Sequence, residues 1–183
     1  MVLMSFTRIF SVMVMAVFCF FALPAVTKAD TITFTATLTG ANEVPPRNTN
    51  AAGTATLILD TATGKAVLSV SFSGLTSGLT GAHIHCCAGP TANAGVLQGF
   101  DSQLTPGATS GSLTNWALPI TLTAQQMADL RNGLMYVNIH STTYPGGEIR
   151  GQLYAVPEPG TLLLLGAGLL SVASRLKKRR SQD

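Results

Sequence analysis

The feature that most constrains the fold is a two-residue alternation of apolar and polar side chains within short segments. Residues 31–38 carry an apolar side chain at every second position with threonines between them, and residues 53–60 and 65–72 repeat this alternation. Because successive side chains of a β-strand point to opposite faces of its sheet, each segment predicts a strand with one buried face. Clusters of glycine, proline, asparagine and threonine separate the segments, which is typical of an all-β sandwich or barrel.

Further strands are predicted at residues 81–86, 95–100, 111–118, 134–140 and 147–154. Gly64 supplies the positive φ that a hairpin turn over residues 60–64 needs. One short helix is also predicted. Thr123 and Gln126 have the spacing of a capping box at its start, and Gly133 ends it.

The basic character of the chain comes from its two ends. The sequence has a formal net charge of +3, yet residues 30–155 contain six acidic and only four basic side chains. A protein that binds nucleic acid needs a basic face on its folded part. The charge distribution therefore argues against a nucleic-acid partner.

The first 29 residues have the pattern of a secretory signal peptide. Arg8 precedes an apolar run over residues 9–26, and small residues near Ala29 suit cleavage after that position by signal peptidase. The alternative is an uncleaved membrane anchor, because the run approaches the ~20 residues that span a bilayer.

Residues 156–183 form a second targeting segment. Pro157, Glu158 and Pro159 precede an apolar run over residues 162–173, and a basic cluster follows at 175–180. This order closely resembles the PEP-CTERM sorting signal of Gram-negative bacteria. The resemblance implies transient membrane insertion, cleavage by an exosortase, and passage through the periplasm to the cell surface or extracellular matrix. The alternative is a permanent C-terminal tail anchor.

The body between these segments resembles the CHRD (chordin-type) domain. The motifs that carry the resemblance lie at residues 38–46 (LTGANEVPP), 81–85 (GAHIH), 136–140 (YVNIH) and 144–153 (YPGGEIRGQL). The family implies an immunoglobulin-like or dismutase-like antiparallel β-sandwich over residues 30–155, with one short helix.

Strand alternation predicts that the three histidines of the chain share one sheet surface if the strands at residues 81–86, 134–140 and 147–154 are neighbours in one sheet. Ala82 and Ile84 mark the apolar face of one strand, so His83 and His85 lie on its opposite face. The same alternation places His140 on the polar face of a later strand. The side chains predicted to share this polar patch are Tyr136, Asn138, Glu148, Arg150 and Gln152.

Three imidazoles on one surface predict a site for copper or zinc, because neutral imidazole is a good ligand for both metals. The alternative is that the three rings only pack and form hydrogen bonds beneath a loop, with Glu148 and Arg150 as an ordinary ion pair.

Cys86 and Cys87 directly follow the histidine pair. Adjacent Cα atoms are closer than most disulfides allow. The sequence leaves three states open: a bond between the two, free thiols, which we favour, or thiolate ligands beside the histidines.

No catalytic motif is evident in the sequence. We expect a non-enzymatic, exported module at the cell surface or in its matrix, with extracellular polymers or surface proteins as candidate partners. A copper-dependent, dismutase-like redox protein is a second hypothesis, although that family uses more imidazoles than the three present here. A protein- or polysaccharide-recognition module is a third, although Trp116 is the only tryptophan.

Overall fold

The structure, a computed structural model, describes residues 30–157. The predicted signal peptide at residues 1–29 lies outside the described residues, as does the sorting segment from Glu158 and Pro159 onward. Nine strands and one α-helix form the described part. The strands are β1 (Thr31–Thr39), β2 (Ala52–Asp60), β3 (Ala66–Ser73), β4 (Leu79–Cys86), β5 (Gly95–Gly99), β6 (Gly111–Ala117), β7 (Met135–Ser141), β8 (Ile149–Gln152) and β9 (Tyr154–Ala155), and the helix is α1 (Ala124–Arg131). No helix within residues 30–157 is long and apolar enough to cross a membrane.

The strands form one antiparallel sheet with the order β5-β4-β7-β8-β1-β2-β3-β6, and β9 adds a second pairing to β1. The predicted all-β antiparallel class with one short helix is confirmed. The immunoglobulin-like or dismutase-like sandwich is not confirmed. Strand β1 joins the group β5-β4-β7-β8 to the group β2-β3-β6, so that all of them belong to a single curled sheet. Strand β1 pairs with β2 along its whole length on one side, and with β8 and β9 on the other.

The core lies on the apolar face of the curled sheet. Its buried side chains come from the alternating positions that define the strands, for example Phe34 and Leu38 of β1, Leu57 of β2 and Leu68 of β3. Burying a side chain of this size contributes about 1.5–3 kcal/mol. The core therefore fixes which face of each strand points outward.

The local signals for turns and caps are confirmed. Thr123 and Gln126 form the reciprocal capping box at the start of α1. Gly64 has φ +70° in the turn between β2 and β3, and Gly133 has φ +69° just after α1.

The last predicted strand is divided in two. The amide of Leu153 donates to Met135 of β7, and the next residue, Tyr154, then pairs with Thr35 of β1. The chain thus changes partner strand at Leu153, which a two-residue alternation cannot reveal because the apolar pattern continues through the change.

Candidate metal centre

Strands β4 and β7 bring the three histidines together on the polar face of the sheet. The strands pair in a register that sets Gly81 opposite His140 and His85 opposite Tyr136. Each histidine offers a ring nitrogen that lies within 4.8 Å of those of the other two. The convergence predicted from strand alternation is therefore confirmed.

The hydrogen bonds of the rings define which nitrogens carry protons. Nδ1 of His85 lies 2.9 Å from the carbonyl oxygen of Ala94, and Nδ1 of His140 lies 2.9 Å from that of Pro145. Because a carbonyl can only accept, both Nδ1 atoms donate, and each Nε2 keeps a lone pair in the neutral ring. An outer N–H bonded to a carbonyl is the usual arrangement of a histidine that ligates a metal.

The Nε2 lone pairs of His140 and His85 lie in different surroundings. Nδ1 of His83 lies 3.0 Å from Nε2 of His140. Because Nε2 of His140 carries a lone pair, His83 is the donor of this hydrogen bond. Nε2 of His85 is buried and has no hydrogen-bond partner among residues 30–157. Two nitrogen ligands of one metal, each bonded at ~2.0–2.1 Å, lie about 3 Å apart. An ion could therefore replace the proton between His83 and His140 and also engage His85.

Burial favours the neutral form of the three imidazoles. It is the largest cause lowering the pKa of each of His83, His85 and His140 below the ordinary histidine value. Asp101 acts in the opposite direction on His83 and His140, while Arg150 adds to the lowering at His85. Neutral rings are the state that a metal requires.

Gly81 leaves the space that the rings occupy. A Cβ at this position would lie 2.9 Å from Cε1 of His83 and 3.6 Å from Cδ2 of His140. A larger residue at this point of β4 would displace the His83 ring. This role is not evident from the amino-acid pattern, because a glycine within a strand can equally mark a bulge or a tight bend.

The cysteines lie apart from the histidine group. Cys86 packs against the apolar core on the opposite face of β4 from His85, and it forms a disulfide with Cys87. The prediction of free thiols is therefore wrong, and the bond between the two neighbours is the state observed. The two sulfur atoms lie near Asp129 of α1.

A stack of three buried side chains supports His85. The rings of His85 and Tyr136 are parallel within 2°, with their centroids 4.7 Å apart. The guanidinium of Arg150 lies 3.5 Å from the centroid of the Tyr136 ring. Cation–π contact of this kind contributes about 2 kcal/mol when the groups are desolvated. The stack fixes the plane of the His85 ring.

Arg150 and Gln152 of β8 hold the loop that covers this polar layer. One terminal nitrogen of Arg150 donates to the carbonyls of Gly89 and Ala92, and the other donates to Oδ1 of Asn93. Gln152 donates to the carbonyls of Ala88 and Gly133. The side chains of the predicted polar patch are therefore buried and do not form an open surface.

Glu148 forms its hydrogen bonds with residues other than Arg150. The ion pair between Glu148 and Arg150 that the sequence allowed is therefore not formed. Oε1 of Glu148 accepts from the Thr49 hydroxyl and from both the amide and the hydroxyl of Thr76. Burial acts to raise the pKa of Glu148, but hydrogen bonds from Ser141, Thr49 and Thr76 together lower it. Glu148 thus connects the loops before β2 and after β3 to the start of β8.

Glu43 is a further buried acid, in the loop that follows β1. It is 4% exposed, and none of the described residues forms a hydrogen bond with its Oε1. Burial raises the pKa of Glu43 to about 7, although Arg150 and Arg47 act to lower it. From its proline-rich surroundings in the sequence, Glu43 would be expected to cap or bind backbone amides, because those surroundings do not reveal that the loop folds over the polar layer.

We expect Glu43→Gln to stabilise the protein at alkaline pH. The folded pKa of about 7 exceeds the ordinary value of 4.5, so the stability linked to this group is complete below 4.5 and is lost as the pH rises through 7. Glutamine mimics the protonated acid at every pH. The free energy of unfolding in urea should be higher for the variant than for the wild type at pH 8, by on the order of 1–3 kcal/mol, and equal for the two at pH 4.5. An equal difference at both values would contradict this assignment.

Taken together, the fold and the site define an all-β domain with a buried three-histidine group on the outer face of a curled sheet. A scan against family models matches residues 34–153 to the CHRD domain and residues 155–180 to the PEP-CTERM protein-sorting motif. The chain belongs to the CHRD family, followed by a C-terminal PEP-CTERM motif of proteins that are exported and processed by exosortase. Comparison with curated proteins and with solved structures found no significant match.

Proposed function

We propose that this protein is a non-enzymatic module of the bacterial surface or its polymer matrix that binds one copper or zinc ion through His83, His85 and His140. Signal peptidase and exosortase would process its two ends during export, with transient membrane insertion through the C-terminal apolar run. The proposal draws on the sorting motif for the destination and on the histidine group for the ligand.

The observation that carries the metal proposal is the unpartnered Nε2 of His85. Buried polar atoms nearly always have a hydrogen-bond partner, since leaving one unsatisfied costs about 1–3 kcal/mol. This atom has none within the part of the chain that the structure describes, and it belongs to a cluster whose other nitrogens already lie at the separation of two ligands of one ion. A metal ion would satisfy the lone pair and replace a hydrogen bond that holds two rings together.

The ligand set supports copper or zinc over harder ions. All three donors are imidazole nitrogens, whereas calcium and magnesium require oxygen ligands. The disulfide removes both cysteines as thiolate ligands, so the proposed set is the three histidines alone.

We expect full-length protein from its native envelope, isolated without added metal, to carry copper or zinc. Elemental analysis should give about one ion per chain, and protein stripped with a chelator should take up one equivalent of Cu²⁺ or Zn²⁺ in a calorimetric titration. Protein that is metal-free from the envelope and shows no saturable uptake would exclude the proposed site.

The absence of enzymatic activity has its own test. A dismutase assay on copper-loaded protein should give no rate above that of the same concentration of free copper. A higher rate, lost in His140→Ala, would instead support the copper-dependent redox alternative.

A further inference from the structure

A cleft that is separate from the histidine group lies on the polar face of the sheet. It has a volume of about 720 Å³ and is bounded by the middle of β1, the loop that follows β1, the loop that follows β4, and the segment β8–β9. This volume falls within the ~300–1,000 Å³ of typical ligand pockets. None of the three histidines is among its lining residues.

Tyr154 presents an aromatic ring at this cleft. The residue is 55% exposed, although it belongs to a strand that pairs with β1. A Cβ on Gly133 would lie 2.8 Å from Cε1 and 3.1 Å from Cδ1 of the ring, so the ring lies directly against bare backbone. Part of the ring is therefore supported by the protein, and the exposed part is free for a ligand. A supported ring loses little conformational freedom when a ligand stacks on it.

The exposed side chains around Tyr154 are neutral. Thr35 and Thr37 of β1 can donate and accept hydrogen bonds, while Pro46 and Pro90 supply apolar walls. Asn42, from the loop after β1, can accept through Oδ1, because its Nδ2 already donates to the carbonyls of Thr37 and Arg150. The two charged residues that line the cleft are buried, Glu43 at 4% and Arg150 at 1% exposure. The accessible lining therefore matches an uncharged ligand with many hydroxyl groups and at least one apolar face.

We propose that this cleft binds a neutral pyranose unit of an extracellular polysaccharide. The C–H face of the sugar ring would stack on Tyr154, and its hydroxyl groups would bond to Thr35, Thr37 and Asn42. A sugar ring combines the apolar face and the hydroxyl rim that this lining calls for, whereas an anionic ligand would meet no exposed cation here.

The test uses native affinity electrophoresis of the full-length protein in gels that contain a soluble neutral polysaccharide. The panel comprises dextran, mannan, starch and hydroxyethyl cellulose, with alginate and polygalacturonate as acidic counterparts. At least one neutral polymer should retard the wild type. Tyr154→Ala should lower that affinity by about tenfold or more, which corresponds to about 1.4 kcal/mol, because the substitution removes the stacking face.

Two controls separate the ring from other effects. Tyr154→Phe keeps the stacking face and should retain most of the retardation. Val96→Ala shortens a side chain that is 56% exposed and lies outside the cleft, and it should leave the retardation unchanged. Thermal unfolding of each variant checks that the fold is intact.

The proposal is overturned if no neutral polymer retards the wild type, if only the acidic polymers do, or if Tyr154→Ala binds as well as the wild type. Retardation should persist in the presence of a chelator and in His85→Ala. Failure of the metal proposal would thus leave the cleft result standing, and the reverse also holds.

Discussion

Replacing His85 with alanine is expected to lower the affinity for copper or zinc at least about 100-fold. Residues that only orient metal ligands already cost 10–100-fold when they are changed, and His85 would be a direct ligand with its lone pair unpartnered. His140→Ala should have an effect of the same order, because His140 Nε2 forms the 3.0 Å contact with His83. Competition titration against a chromophoric chelator measures the metal affinity of both variants.

The choice of control follows from the composition of the chain. These are its only three histidines, so no remote histidine can sustain the binding. Cys86→Ser combined with Cys87→Ser tests the sulfur atoms and should leave the affinity unchanged if the ligands are imidazoles alone. If both histidine variants bind as tightly as the wild type, the three rings are packing residues. If the cysteine variant loses affinity instead, the ligand set is wrong.

Arg150→Met should be the most destabilising single substitution in the polar layer, with a loss of about 3 kcal/mol or more. Arg150 is 1% exposed, and its guanidinium donates to the carbonyls of Gly89 and Ala92 and to Asn93. Methionine fills a similar volume but leaves those acceptors unpaired, which costs about 1–3 kcal/mol for each one that water cannot reach. Urea unfolding at pH 7 measures the loss.

Arg131→Met is the matched control for this prediction. Arg131 lies exposed in the last turn of α1, and its replacement should change stability by no more than about 0.5 kcal/mol. Hydrogen exchange of the amides of residues 88–93 gives a second readout, because the loop held by Arg150 should exchange faster in Arg150→Met. A variant as stable as the wild type, with this loop still protected, would contradict the role assigned to Arg150.

Strand alternation predicted the convergence of His83, His85 and His140 because the side-chain period of a strand is fixed by its geometry. Ala82, Ile84 and Ile139 occupy the core, so their neighbours in sequence had to point the other way. The capping box of α1 was equally accessible, since it depends on two residues three positions apart. Both signals are local, but the meeting of the two histidine strands also required that β4 and β7 be neighbours, which alternation does not determine.

The same alternation could not show what lies above the polar face. It assigns Arg150 and Gln152 to that face but does not reveal that residues 88–93 fold over them. Glu43 is a related case, because its burial depends on a loop that packs against β8, more than 100 positions later in the chain. The joining of two sheet halves at β1 is also a long-range result, since β1 pairs with β8 through a single residue pair, Thr39 and Arg150.

The three rings come from two strands that are neighbours in space and distant in sequence, with His83 and His140 separated by 57 positions. A nascent or unfolded polypeptide therefore holds at most the pair His83 and His85 near one another. The full set exists only after β4 and β7 have docked, so coordination of the proposed ion by all three rings would be coupled to folding. The identity of the ion would then be decided by which metals are available in the compartment where β4 and β7 come together.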